Sequence, residues 1–458
     1  MSNLEKVSFV IIFLVFSATF TYTQFDNFNN SNCHDSNLTS SLINNSSWIC
    51  NWGNKSWDSQ RIIADSLENV YSAGIIHEYP PLSSIITDYS SSSMNDYTFF
   101  FSKFNNYGLK EWILMNFTQT SFSHCLGLSV GSDSNIYSLW NVDFDDKALL
   151  LKLTSSGKML WNKTLRINAE IFYLDRHDNI YIMGYFFDPD HPNDSFLKLV
   201  KFNTLGIMEW NNSFLMNNLV FPSSLIVDNS NYSYIAGIEP SDTYNAGYEY
   251  TPEICLWRLN SSGEIISIKE WDMSPYHVYY NMFFDDLCNL YLIATDDSLS
   301  VNKLFKYNNL GDSILNITWK SPILKKALDL WDNLAFDSSG KIYCTGSKYF
   351  YITRPYSEIY LVIFNENGTL IQSGVWKNYN FAFCNDMHID SNNNIYLTGS
   401  YDEGPFIVKN PVLSEFSIFY FDIDEDTLFS LILLSSIFGF WGLLGICFYI
   451  YFLKKRSI

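Results

Sequence analysis

Positive charge is scarce in this chain. Against 48 Asp and Glu, the 458 residues carry only 28 Lys and Arg, a formal net charge of -20, and no sizeable basic patch offsets it. An acidic surface repels phosphate, which excludes nucleic acid as a partner. Cysteine is sparse as well: eight residues, at 33, 50, 125, 255, 288, 344, 384 and 447, contain no CxxC spacing. That spread excludes a disulfide-dense scaffold and a cysteine-based zinc site. The histidines, at 34, 77, 124, 177, 191, 277 and 388, fall in no H-x-x-x-H spacing, and no G-x-S-x-G or phosphate-cradling glycine loop occurs. Linear signatures of catalysis are therefore missing. A site assembled from separate loops would leave none.

Charge is absent altogether between Leu428 and Leu453. At about 1.5 Å per residue such a run crosses a hydrocarbon core of about 30 Å, so 428–453 is expected to be a transmembrane helix. Lys454, Lys455 and Arg456 follow it, whereas Asp422, Asp424, Glu425 and Asp426 precede it. The basic flank belongs inside, which leaves 454–458 as a cytoplasmic tail and 413–427 as a juxtamembrane linker. At the other end, Lys6 and the apolar run VSFVIIFLVFSATF have the layout of a secretory signal peptide over 1–23, with cleavage around Thr19 to Gln24. The expected location is the plasma membrane, single-pass, with the body outside. Asn-x-Ser/Thr sequons agree with that side, since those at Asn29, Asn37, Asn44, Asn45, Asn54, Asn116, Asn162, Asn193, Asn211, Asn231, Asn260, Asn316 and Asn367 all precede the span. Seven cysteines outside make an odd number, so at least one lacks a partner there. Cys33 with Cys50 is the expected local pair, because both sit near the polar segment 24–44 where a staple helps most.

What the chain has in quantity is aromatic residues, 18% of the total, which suits a β-rich body. They recur in register. DSNNNIYLTG at Asp390 to Gly399 echoes DRHDNIYIMG at Asp175 to Gly184, and seven tyrosines anchor the same phrase: Tyr71, Tyr137, Tyr181, Tyr234, Tyr291, Tyr343 and Tyr396. Their separations are 66, 44, 53, 57, 52 and 53 residues. Six positions earlier stand Asp65, Gly131, Asp175, Asp228, Asp285, Asp337 and Asp390; three positions later stand Gly74, Trp140, Gly184, Gly237, Ala294, Gly346 and Gly399. A second half-motif follows each anchor but the last, running through an Asn-x-x-Gly or Ser-Ser-Gly turn to Trp112, Trp161, Trp210, Trp271, Trp319 and Trp376.

Each half-motif is a hairpin. Asp and Asn bond their own backbone in Asx turns, and the following Ile-Tyr-Leu-Thr type of run favours a pleated strand. Two hairpins give four antiparallel strands in about fifty residues, the dimensions of a propeller blade, so 45–412 is expected to be a seven-bladed β-propeller. The seventh copy stops at FIVKN, before Pro411, while NNSSWICNWGN at Asn44 to Asn54 has no unit of its own. The ring is therefore expected to close with this N-terminal segment as the last strand of blade seven, in preference to EFSIFYFDI, Glu415 to Ile423.

These motifs resemble the SBBP type of β-propeller repeat, whose units look like D-x-x-G-N-x-Y-x-x-G followed by K-x-x-x-x-G-x-x-x-W. The likeness runs from about residue 48 to 410 and implies the fold rather than an activity. The chain departs from the Gly-Asn pair in nearly every turn; DSSGKIY keeps Gly340 but has Lys341 in place of Asn.

No cofactor is expected. DSNNN and DDLCN offer oxygen donors for calcium, but turn chemistry accounts for them, and a tight calcium loop supplies more carboxylates. The expected function is that of a surface binding or scaffold protein presenting loops to a protein or glycan, because inserts such as FDPDHPNDSF and EPSDTYNAGYEYTPE sit on a regular frame. The alternatives are a propeller enzyme, a lyase or hydrolase acting on surface polymers, and a structural surface-layer component.

Overall fold

A computed structural model of the chain describes residues 32–34, 47–53, 57–78, 96–120, 123–142, 147–187, 195–215, 221–239, 253–272, 279–296, 301–320, 328–350, 356–376, 382–401 and 404–411. The chain divides after Glu415 into two units, and all described residues belong to the first. The juxtamembrane and transmembrane expectations, and the rival closing strand, lie outside the described residues. Among the described residues no helix is long and apolar enough to cross a membrane.

The described unit is an all-β, seven-bladed propeller of antiparallel blades. Blade 1 is a meander of β3 (Trp57–Ala64), β4 (Val70–Glu78), β5 (Asp96–Phe104) and β6 (Lys110–Thr120). Five more four-stranded meanders follow, beginning with Ser123–Val130, Asn168–Leu174, Phe221–Val227, Tyr279–Phe284 and Leu328–Phe336. The first strands of successive blades touch one another all the way round, and that of blade 7, β27 (Ala382–Ile389), touches β3. They form the inner rim.

Blade 7 is completed from the other end of the chain. Its strands β27, β28 (Ile395–Tyr401) and β29 (Gly404–Lys409) are extended by β2 (Trp48–Asn51), and beyond that by β1 (Asn32–His34), so this one sheet has five strands. β2 pairs with β29 through Trp48 to Lys409 and Asn51 to Phe406. At the junction the chain leaves β29 through Asn410, whose side-chain oxygen accepts from Ile395 N at 2.9 Å and whose carbonyl accepts from Ser47 Oγ at 2.9 Å.

The turn joining the first two strands has one geometry in all seven blades. In blade 1, Asp65 N donates to Asn69 O and Glu68 N to Asp65 O, each at 2.9 Å, and the other six turns repeat this pair of bonds. This is a type I turn followed by a left-handed residue. The left-handed position is where the resembling repeat carries Gly. Here it holds Glu68, Ser134, Asp178, Asn231, Cys288 and Asn393 at φ of 60–63°, and Gly340 in blade 6. The missing glycines therefore change the strain of the turns but not their shape. Ser134 is exposed, and Ser134→Gly is expected to stabilise the fold by up to about 1 kcal/mol. Relief of left-handed strain of about 1–2 kcal/mol is there offset in part by glycine's larger unfolded-state entropy. Urea denaturation of the two proteins would measure the difference.

The core is divided into layers between neighbouring blades. Tyr71, Phe99 and Phe101 of blade 1 pack with Cys125, Trp140 and Leu151 of blade 2, and Trp48, Cys50 and Tyr396 of blade 7 pack with Ile62, Phe100 and Phe104 of blade 1. In the Gly slot of blade 2, Trp140 is fully buried against Phe99 and Phe101, at centroid distances of 4.8 and 5.5 Å.

Candidate functional site

The seven anchor tyrosines occupy equivalent places, each the second residue of its blade's second strand and at most 6% exposed. In blade 7, Asp390 Oδ1 accepts from Asn392 N at 2.9 Å and Asn394 N at 2.8 Å. Its Oδ2 accepts from Asn394 Nδ2 at 2.8 Å and Tyr396 OH at 3.0 Å. Tyr71, Tyr234 and Tyr343 donate in the same way to Asp65, Asp228 and Asp337, at 3.1, 3.3 and 3.0 Å. The aspartates expected to start the turns thus also tether the tyrosines. Both oxygens of Asp390 are engaged, by the turn and the phenol.

A cation stands at every assembly, in six blades across the ladder from the tyrosine and in blade 6 as Lys341, 3.7 Å from Asp337. Directly across the ladder from the tyrosines stand Lys103, Lys152, Lys201, Arg258, Lys306 and Lys409, with Ile363 in blade 6. Their charged ends lie 4.6–5.8 Å from the anchor ring centroids, a cation–π arrangement, and Arg258 also lies 4.4 Å from the Tyr232 ring. Blade 2 lacks the Asp, having Gly131 instead, and there Lys152 bonds Asp133 at 2.8 Å and lies 4.6 Å from the Tyr137 ring. Burial, then the neighbouring aspartate charge, pushes the hydroxyls of Tyr71, Tyr181, Tyr291, Tyr343 and Tyr396 well above the ordinary phenol range. They stay protonated donors at any physiological pH, which suits anchoring and not acid–base chemistry.

The tryptophans fall into two sets. Trp112, Trp161 and Trp210 pair across the ladder with Lys103, Lys152 and Lys201, and Trp48 of the closing strand pairs with Lys409 in the same way. Each lies against the turn glycine of the next blade, respectively Gly157, Gly206, Gly263 and Gly108. Trp271, Trp319 and Trp376 stand further along their strands, opposite Ile254, Asn302 and Ile359. The spacing from the turn glycine separates the sets: four residues in the first three blades, as in Gly108 to Trp112, and eight in the next three, as in Gly311 to Trp319.

Charged residues that share no repeated motif meet where the ring closes. Asn385 Nδ2 of blade 7 donates to Asp58 Oδ1 at 2.7 Å and Ser59 O at 2.9 Å in blade 1. Asp386 Oδ2 accepts from Ile62 N at 2.9 Å, Arg61 Nε donates to Leu126 O of blade 2 at 2.9 Å, and Gln60 Oε1 accepts from Cys125 N at 2.7 Å. Burial raises the Asp386 pKa, with Arg61 opposing, while burial and then Arg61 lower that of His124 to about 4. A carboxylate, a guanidinium and an imidazole on the inner rim are the ingredients of an acid–base site. Asp386 and Arg61, however, each bond the backbone of a neighbouring blade as well as their own, and the group works as a clasp across two blade boundaries. Among the described residues no group of His, Cys, Asp and Glu could hold a metal ion.

His388, stacked on the Tyr396 ring at 6.3 Å, is also held by burial at a pKa of about 4. A base whose folded pKa lies below its ordinary 6.5 binds protons more readily unfolded. Stability is therefore full above about 6.5 and falls as pH drops toward 4, by up to about 1.4 kcal/mol per unit for each of His124 and His388. Melting curves from pH 7 to 4.5 are expected to show this slope, and His388→Phe to flatten it. An unchanged slope in the variant would assign it to other groups.

Cys33 and Cys50 are opposite one another in the β1–β2 ladder, and Cys50 is disulfide-bonded. Cys125, Cys255, Cys288, Cys344 and Cys384 are buried.

No family model matches the chain, and no curated protein does. Similar backbones occur among solved structures. A streptogramin B lyase is 10% identical over 80% of this chain and 96% of its own, with a TM-score of 0.43. A puromycin hydrolase is 10% identical over 76% of this chain, which spans only 50% of the hydrolase, with a TM-score of 0.48. The WD40 domain of SCAP from fission yeast is 10% identical over 78% of this chain and 82% of its own, with a TM-score of 0.39. None of these likenesses lends the chain an activity.

Proposed function

We propose that the chain is a cell-surface binding or scaffold propeller of the SBBP-repeat kind, held to the plasma membrane by 428–453 after removal of a signal peptide. It would engage a protein or glycan through one face of the ring. The supporting observation is the difference between the two faces. On one, the turns between first and second strands share a single hydrogen-bond pattern, as do those between third and fourth strands. On the other, the links between second and third strands range from 402–403 and 143–146 to 240–252 and 79–95. A rigid frame with unequal connections on one side is the usual plan of a recognition surface. The same reading includes a Cys33–Cys50 bridge, consistent with their register and with an oxidising exterior.

The test is retention of surface proteins and polysaccharides by the immobilised ectodomain, 24–427. Ligand capture that is lost when 79–95 and 240–252 are exchanged for short Gly-Ser links would support the reading. Capture of nothing from extracts of the same cells, or capture indifferent to both exchanges, would overturn it.

A further inference from the structure

The sequons of the ring differ in their settings. Three stand at one register on outermost strands: Asn162 on β10 (Met159–Arg166), Asn211 on β14 (Met208–Leu215) and Asn316 on β22 (Ser313–Lys320). Each lies five residues beyond its turn glycine, Gly157, Gly206 or Gly311. Each faces the corresponding residue of the third strand, Leu151, Val200 or Phe305. Residues two apart on a strand share a side, so the sequon hydroxyls of Thr164, Ser213 and Thr318 stand on the same outward side as the asparagines. All six residues are exposed.

The amide nitrogens are weakly engaged. Asn162 Nδ2 meets Met159 Sδ at 3.4 Å and Asn211 Nδ2 meets Met208 Sδ at 3.2 Å, and a thioether is a poor acceptor. Asn231 and Asn260 are different. Asn231 is the left-handed residue of a turn, at φ 61°, and its sequon hydroxyl on Ser233 is 1% exposed. Asn260 donates to Glu264 at 2.7 Å while its Oδ1 accepts from Ser262 N, Ser262 Oγ and Glu264 N.

We propose that Asn162, Asn211 and Asn316 carry N-linked oligosaccharides that form a belt around the circumference of blades 2, 3 and 5. The proposal rests on the exterior location argued above. In the transfer, Asn Nδ2 bonds to the anomeric carbon of a sugar carried on a lipid pyrophosphate. The bond from that carbon to the pyrophosphate oxygen breaks, the lipid pyrophosphate leaves with the electron pair, and the amide gives up one proton. The belt also has a physical use. The three strands end their sheets, and their outer edges carry the exposed side chains of Leu160, Met208 and Ile314. An unprotected edge with apolar side chains invites pairing with a second chain, and a bulky hydrated glycan in the middle of the strand blocks that approach.

The full chain, expressed in eukaryotic secretory cells, would be digested with a glycosidase in heavy-oxygen water and its peptides mapped by mass spectrometry, alongside surface biotinylation of intact cells. Isotope label on Asn162, Asn211 and Asn316, and loss of one gel-mobility step with each of Asn162→Gln, Asn211→Gln and Asn316→Gln, is the expected result. The triple variant is expected to show increased self-association by sedimentation. Unlabelled asparagines at these three positions in a biotinylated protein would overturn the belt and leave the exterior location standing. Absence of both glycan and biotin would overturn the two together.

Discussion

Gly399→Ala is expected to destabilise the propeller by about 3 kcal/mol or more, a large effect for one methyl group. A Cβ at Gly399 would overlap the carbonyl oxygen of Phe383 on the facing strand and come within 3.1 Å of Phe406. The backbone approaches so closely because β27 bulges between Cys384 and Asp386, directly opposite Gly399. Gly74 and Gly184 face the same kind of bulge, between Ser59 and Arg61 and between Ala169 and Ile171. Alanine fits only if the Phe383 carbonyl and the bulge that presents it are displaced. That would withdraw Asn385 from Asp58, Asp386 from Ile62 N and Cys384 N from Ser347 Oγ, so two blade boundaries weaken together. Blade 5 shows the alternative: it has Ala294 in this slot and a ladder with no register shift. Ala294→Gly is accordingly expected to cost only about 0.5–1 kcal/mol, the ordinary penalty of glycine in a strand. Chemical denaturation of both variants checks the contrast, and equal losses would refute the bulge as the cause.

Trp48→Ala is expected to cost about 3–5 kcal/mol and to loosen the whole ring. Trp48 is 2% exposed, donates from Nε1 to Asn106 O at 3.1 Å, and lies against Gly108, joining the closing strand to the neighbouring blade. Its strand completes blade 7, so losing this anchor frees the β29 edge and the seam held by Lys409 and Glu68, 2.6 Å apart. Limited proteolysis should cut the variant near Asn51 and Asn410 before any other blade. Protection at both ends equal to that of the parent would count against the role assigned to Trp48.

The blade number and the direction of closure were legible because both rest on local repetition. A tyrosine with Asp six residues earlier marks one hairpin wherever it occurs, and the copy that stopped at Asn410 matched the unassigned Trp48 strand. The turn shape was less legible. Six left-handed positions are filled by residues other than glycine, so the sequence cue is missing although the conformation is kept. Trp140 hid a second device: blade 2 keeps a bulge between Cys125 and Gly127 opposite a residue that has a side chain, and Gly127 leaves room for Phe172 of blade 3. The cations opposite the tyrosines could have been read from the lysine that begins the second half-motif in KF, KL and KY. The closing clasp could not, because Ile62 and Asp386 are 324 positions apart and neither belongs to a repeated word.

Ring closure by the first strand sets a waiting time. Ser47 meets Asn410 across 363 residues of chain, and at the ordinary pace of synthesis, 5–20 residues per second, their release is separated by about 20 to 70 s. Through that interval the Trp48 segment has no edge to join, and six finished sectors are held apart by a gap. Within the ring, the Trp48 strand is thus made before the strand it docks on, and any factor that shields a nascent tryptophan-rich stretch would act on this protein at that step.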